Sequence, residues 1–239
     1  MTNDWQEVEL IEQKMIASDV KSLLFKTSKP IDFKAGQYMS IKTTSVSGYP
    51  AERDYSIAST PDKKDIIEFG IQLLEDGEVS PELFKLKIGD KIQIKGPNGN
   101  FFIHNKSNKN PLILVAGGTG IIPFRSIIND GLKSNKQIII LFISCKTEDK
   151  IPYKSELLEL QKKYKNFKIF ITLTQQKNSN LISESRRIDP QMISQMFDDY
   201  KKNNPNIFIC GPSTFVEAAN VSFIANGFNP SNIRSERFG

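Results

Sequence analysis

A short apolar run that breaks into glycine constrains this chain more than any other feature. Leu112-Ile-Leu-Val-Ala116 reads as a fully buried strand, Gly117-Gly-Thr-Gly120 follows at once, and an apolar helical segment runs on from Ile121 to Ile128. Strand, glycine turn and helix together bring unhindered backbone N–H groups and a helix N-terminus up to a phosphate. Taken alone, the same pattern also serves as a plain tight connection. It departs from the ordinary dinucleotide fingerprint, in which an acid at the tip of the next strand binds a ribose. Here that strand ends Phe142-Ile-Ser-Cys-Lys146 without an acid, and Pro123 falls early in the helix.

The chain has a different rhythm on each side of this turn. Downstream, strand patterns at 112–116, 137–143, 167–173 and 206–210 alternate with helical patterns at 121–132, 153–164, 190–200 and 213–226. Such alternation means crossover connections and a parallel sheet covered on both faces. Upstream, residues 7–17, 20–27, 53–58, 66–73 and 91–95 read as short strands, and Gly36 turns into another ending at Ile41. One helix is expected from Val79 to Leu86, capped by Ser80 with Pro81 in its first turn. Thr43 to Pro50 reads as a loop and Gly96 to Asn100 as a turn. The sequence therefore predicts two domains. Residues 1–105 form an antiparallel β-barrel, a polar linker starts at Asn105, and residues 106–239 form an α/β parallel-sheet nucleotide-binding domain.

Composition narrows the chemistry. Two cysteines, Cys145 and Cys210, and a single histidine, His104, supply neither a metal-ligand pair nor the four thiolates of an iron–sulfur cluster. No metal site is expected. The net charge of +5 suits an acidic partner, whereas scattered lysines without interleaved aromatics argue against nucleic acid. No apolar run approaches the roughly 20 residues of a membrane span, and the acidic, polar N-terminus is unlike a secretory signal. A soluble cytoplasmic protein is expected; the sequence gives no oligomeric state.

Four further constellations carry polar chemistry. On a strand, Arg53, Tyr55 and Ile57 share one face and Asp54 and Ser56 the other. An Arg and a Tyr together can hold a diphosphate and stack on a planar ring, with Ser56 bonding a ring nitrogen. Spacing alone favours the plainer reading, Arg53 as a surface ion pair and Tyr55 as barrel wall. Gly77-Glu-Val-Ser80 places a glycine before a helix, suited to an anion or simply to capping. Cys210-Gly-Pro212 lies at a strand's carboxyl end, where parallel sheets expose ligand-binding residues, although a free Cys there is often inert packing. Last comes Ser235-Glu-Arg-Phe-Gly239, a terminal aromatic that by itself reads as docked or disordered surface.

Together and in this order, the motifs resemble the ferredoxin–NADP reductase family of flavoprotein reductases over nearly the whole chain. Arg53-Asp-Tyr-Ser56 resembles its flavin motif, Gly77-Glu-Val-Ser80 its phosphate motif, and Gly117-Gly-Thr-Gly-Ile-Ile-Pro123 its nicotinamide-dinucleotide loop, early proline included. Cys210-Gly-Pro212 and Glu236-Arg-Phe238 resemble the family's strand end and terminal Glu-x-aromatic.

The resemblance implies roles. Arg53 pairs with a flavin diphosphate, Tyr55 lies on one ring face, Ser56 reaches N5, and Ser80 with the Gly77–Val79 backbone closes on the same diphosphate. Gly117, Gly118, Thr119 and Gly120 take the pyridine dinucleotide, Cys210 and Glu236 sit at the transfer site, and Phe238 covers the flavin's second face as a gate. The implied activity is hydride transfer from NAD(P)H to FAD, rather than FMN, then electron release to a separate acceptor such as an acidic ferredoxin or an oxygenase component. Thr174-Gln175 stands where NADP-preferring members carry Ser-Arg, which favours NADH, with Arg186 and Arg187 as the alternative source of charge. Gly239 extends past the aromatic. The alternatives are an electron-transfer subunit active only within a larger complex, and a nucleotide-binding module that has lost its flavin. Arg53, Tyr55, Ser56 and Ser80 speak against the latter.

Overall fold

Residues 4–44, 48–105, 107–133, 137–181 and 183–238 are described by the structure, a computed structural model. Six strands make the first sheet: β1 (Gln6–Ala17), β2 (Val20–Thr27), β3 (Tyr38–Thr44), β4 (Pro50–Ser56), β5 (Ile66–Gln72) and β6 (Lys91–Asn98). Their order is β4-β3-β6-β1-β2-β5, with every pair antiparallel. The chain leaving β4 then crosses to β5 and closes a barrel: Ile57 bridges Phe69, and the Ala58 N–H donates to the Glu68 carbonyl at 2.8 Å. Alternation sends Leu10, Leu23, Phe25, Ile41, Phe69 and Ile94 into the barrel, where they are fully buried.

The second sheet is parallel throughout. Its strands are β7 (Leu112–Gly117), β8 (Ile139–Cys145), β9 (Phe167–Leu173), β10 (Asn206–Pro212) and β11 (Ile233–Phe238), in the order β11-β10-β7-β8-β9. Leu112, Leu114 and Ala116 of β7 pack on the face covered by α2 (Ile121–Leu132) and α3 (Lys154–Lys163). Ile113 and Val115 face α4 (Pro190–Lys201) and α5 (Ser213–Ala225). Near-continuous apolar strands are what burial on both faces demands.

The two domains share a core. Val20, Ala35, Ala58 and Phe102 of the barrel belong to the same apolar cluster as Phe124 of α2 and Phe208 of β10. The Phe102 ring lies 5.8 Å from that of Phe124 and 5.1 Å from that of Phe208. On β5, Ile67, Phe69 and Ile71 point into the barrel while Glu68, Gly70 and Gln72 point outward. Gly70 carries no side chain because Ile122 of α2 fills that space; a Cβ there would overlap it. His104 adds a polar seam, its ring nitrogens 3.2 Å from Asp130 Oδ2 and 3.1 Å from Gln137 Oε1.

Some elements differ from the sequence reading. Ser80 is not the cap of the short helix α1 (Ser80–Lys85): Val79 holds that place, and the Ser80 hydroxyl instead accepts from the Leu74 N–H at 3.0 Å. β8 begins at Ile139 rather than 137, because Gln137 is spent on His104 and on the Asn110 carbonyl. β6 continues through Gly96 and Pro97 to pair Asn98 with Tyr38 across an irregularity in β3. Within the expected Thr43–Pro50 loop, β3 reaches Thr44 and β4 starts at Pro50; residues 45–47 lie outside the described residues, as does Lys106 of the linker. The tail is not loose surface. It is β11, parallel to β10 with Cys210 opposite Glu236 and Pro212 opposite Phe238, while Gly239 lies outside the described residues.

Because Phe102 joins the barrel to the sheet, Phe102→Ala is expected to cost about 3–5 kcal/mol of stability. Urea unfolding should show this as a lower midpoint.

Candidate functional site

The carboxyl ends of β7, β8 and β10, the turn after β9 and the end of β11 surround one cavity of about 510 Å³. Gly117, Gly118 and Thr119 form its floor, Pro212, Thr214 and Phe215 one wall, and Ser144, Cys145 and Lys146 another. Gln72 and Asp19 of the barrel and Phe238 of β11 also line it. Its size suits a small organic ligand, and its place, where the strand order reverses around β7, is where open parallel sheets bind theirs.

The glycines are fitted to distinct tasks. Gly118 has φ +54° with open space on its side-chain side, so its backbone faces the cavity unobstructed. Gly120 lies against the Cys210 carbonyl so closely that a Cβ would collide with it. The residues behind the turn build it rather than line it. Pro123 is buried in the first turn of α2, and the Phe215 ring fills the space beside Gly117 and Gly211. Burial pushes the Cys145 thiol up to about 12, and burial followed by the nearby Glu236 carboxylate pushes Cys210 higher still. Neither is a thiolate near neutral pH; Cys145 lines the cavity, whereas Cys210 is packed in the core behind the glycine turn and is not among the lining residues.

The barrel side is an open shelf. On β4, Arg53 and Tyr55 share the face of Ile41 and Met39, as strand alternation requires. Tyr55 packs on the barrel core, and burial raises its hydroxyl to about 12, so it stays neutral. Arg53 donates to Glu78 Oε2 at 2.6 Å, which brings the Gly77–Ser80 loop beside β4. Both ordinary readings of this pair therefore hold: Tyr55 is barrel wall and Arg53 is half of a surface ion pair. With its side chain 58% exposed, however, Arg53 is free to trade that carboxylate for another anion. Val79 is buried in the barrel and the Ser80 hydroxyl is taken by Leu74, leaving only the backbone of this loop to meet a diphosphate.

Tyr38 of β3 links the barrel to Glu236 of β11. Burial raises the Tyr38 hydroxyl, and the carboxylates of Asp54 on β4 and Glu236 on β11 raise it further, so both flank it. Glu236 is itself pushed up to about 7 by burial. The arrangement offers a neutral aromatic shelf on the barrel, a glycine-lined cavity in the second domain and, on β11, a carboxyl that titrates near neutrality.

Of the two arginines named as the alternative source of charge, Arg187 reaches the cavity, while Lys146, Lys150 and Phe215 are additions that the sequence reading missed. Lys146 and Arg187 line the cavity, and Lys150, also lining it, pairs with Asp19 at 3.3 Å. Arg186 does not restore charge to the groove, because Glu184 and Asp189 hold it. The place of Lys146 at a strand's carboxyl end was the available signal; Phe215 gave none.

A barrel that carries an Arg–Tyr–Ser strand, packed through β5 on a parallel sheet with a glycine turn, defines a two-cofactor flavin and pyridine-nucleotide protein class. Residues 7–103 match the model of the oxidoreductase FAD-binding domain, and residues 114–220 that of the oxidoreductase NAD-binding domain. The chain is 31% identical over 209 residues to NADH-cytochrome b5 reductase 1 of Dictyostelium discoideum, covering 83% of this chain and 68% of that protein. It is 28% identical over 241 residues to the phenol hydroxylase P5 protein of Acinetobacter pittii (strain PHEA-2), covering 100% of this chain and 66% of that one. The FAD/NAD-binding domain of nitric oxide dioxygenase from Vibrio cholerae superposes with a TM-score of 0.87 at 20% identity, covering 98% of both chains. The chain belongs to the ferredoxin–NADP reductase family of flavoprotein reductases. It spans 66%, 62% and 65% of the length of three of the curated relatives it matches. Among the described residues, no helix is long and apolar enough to cross a membrane.

Glu236 gives the site a measurable pH signature. Its carboxyl ionises near 4.5 when unfolded but only at about 7 when folded. Between those values the unfolded chain binds fewer protons, so this residue's contribution to stability falls as pH rises through the window. Urea unfolding across that range should show wild-type protein losing more stability than Glu236→Gln. Parallel profiles would mean that Glu236 titrates normally.

Proposed function

We propose that this protein is a flavin-dependent NAD(P)H reductase that passes electrons to a separate acceptor. What supports this reading is Arg53 and Tyr55 on one face of β4, Ser56 opposite Tyr38 near Glu236, and a separate cavity lined by Gly117 to Thr119. Bound FAD would supply the capacity to accept hydride and release electrons singly. Arg53 and the Gly77–Ser80 backbone hold its diphosphate, with Arg53 exchanging Glu78 for a charge-assisted bond to phosphate. Tyr55 walls one ring face, and Ser56 and Glu236 supply hydrogen bonds at the transfer point. The open backbone at Gly118 and the start of α2 receive the dinucleotide phosphates. Cys210 shapes the nicotinamide end, and Phe238, 37% exposed at the cavity mouth, is the gate over the second ring face.

NADH is the preferred donor, since Thr174 and Gln175 offer no guanidinium and Arg186 is engaged elsewhere. Arg187 and Lys146 leave NADPH usable as a slower one. For the acceptor, relatives include the phenol 2-monooxygenase and propane 2-monooxygenase reductase components, which supports an oxygenase component or a ferredoxin. The +5 charge would steer an acidic one at low salt. Likeness to one subunit of the Na(+)-translocating NADH-quinone reductase of Psychrobacter arcticus supports a second reading, an electron-transfer component of a larger complex. We place the protein in the cytoplasm, with the domain boundary at residues 105 and 106.

The purified protein should be yellow or take up FAD, and anaerobic NADH should bleach it faster than NADPH does. A colourless protein that binds no FAD overturns the reading. Arg187→Ala should lower kcat/KM for NADPH while sparing NADH. Phe238→Ser should tighten nicotinamide binding, measured by titrating NAD+ onto the flavin spectrum; unchanged affinity would remove Phe238 from the gate.

A further inference from the structure

Beyond the cofactor-binding residues lies a buried ionic cluster that no motif announced. Glu68 of β5 is only 7% exposed and accepts three hydrogen bonds: from Ser22 Oγ at 2.6 Å, from Arg125 Nη1 at 2.6 Å and from the Tyr153 hydroxyl at 2.9 Å. Arg125 of α2 also donates through Nε to both Glu156 oxygens at 3.0 Å, and through Nη1 to the Ala58 carbonyl at 2.9 Å. Its guanidinium stacks 4.3 Å from the Tyr153 ring centroid. The next residue, Ser126, donates to the Ser59 carbonyl at 2.6 Å.

These contacts join the two halves of the candidate site. α2 opens directly from the glycine turn, while Ala58 and Ser59 continue the strand that bears Arg53, Tyr55 and Ser56. Along the interface, Thr119 Oγ1 donates to Gln72 at 3.4 Å, Ile122 packs on Gly70, and Arg125 reaches Glu68. One edge of α2 thus matches one face of β5 contact by contact. Apolar surfaces alone would tolerate slippage. Here a slip of one outward position would set Glu68 against Ile122 and leave its buried carboxylate without the Arg125 guanidinium, a heavy penalty.

We infer that the Glu68–Arg125–Tyr153 cluster is a positioning device that fixes the glycine turn relative to the flavin-binding strand, and thereby the rate of hydride transfer. The inference rests on the reductase reading above. None of these three residues lines the cofactor cavity, so they act only through geometry.

The test is anaerobic stopped-flow reduction of FAD-loaded protein by saturating NADH, with FAD and NAD+ dissociation constants and thermal midpoints measured alongside. Glu68→Gln is expected to slow flavin bleaching about 10- to 100-fold, the scale of a displacement near 1 Å. It should also alter the long-wavelength nicotinamide–flavin absorption while both dissociation constants stay at wild-type values. Tyr153→Phe keeps the ion pair and should show a smaller loss in the same direction; it decides the matter if Glu68→Gln does not fold. Wild-type bleaching rates in the folded variants overturn the inference. So does a rate loss matched by an equal loss of FAD affinity or thermal stability, which would make the cluster a structural support only. A wild-type protein that binds no FAD sinks the reductase reading, and this inference with it; a bleached wild type with unaffected variants sinks this inference alone.

Discussion

The contact between Arg125 and Glu68 is the constraint on which the two-domain arrangement depends. Removing two charges from water is costly, and such a pair adds little net stability; its larger effect is to penalise every alternative alignment. The shared aromatic pile of Phe102, Phe124 and Phe208 supplies adhesion between barrel and sheet. The ion pair supplies register. Burial works against the Arg125 charge, yet Glu68, Tyr153 and Glu156 together hold its pKa above the usual arginine value. Burial and Glu68 keep Tyr153 well above the ordinary tyrosine value. Arg125 therefore stays charged and Tyr153 neutral near pH 7, whereas Glu236 at the proposed transfer point, raised to about 7, changes its charge there.

Structural and functional roles coincide throughout this site. Cys210 packs among core residues, its carbonyl pressed against Gly120, and burial keeps its thiol protonated. Tyr55 is barrel wall, and Arg53 holds a carboxylate at the place the proposal gives to a phosphate. A rigid scaffold whose own packing fixes the first-contact residues is what transfer between two flat rings requires, since alignment rather than acid–base strength controls it.

Much was legible in the sequence because periodicity reports burial directly. Strands closed to water on both faces must be apolar throughout, which made β7 and β10 readable. The single-faced strands of the barrel alternate, and the glycine turn stands out because few residues fit its backbone. Less was readable at boundaries, where tertiary partners decided the outcome: Gln137 left its strand for His104, and Ser80 bonded Leu74 instead of capping its helix.

By itself the sequence determined two domains, their order and the glycine turn, because these follow from local pattern and backbone sterics. Only the tertiary structure decided that the tail is the edge strand beside β10, that Arg186 is spent on Glu184 and Asp189, and that Arg187 lines the cavity. It alone paired Glu68 with Arg125, because a glutamate on the outer face of a strand reads as solvated surface until a helix far along the chain covers it.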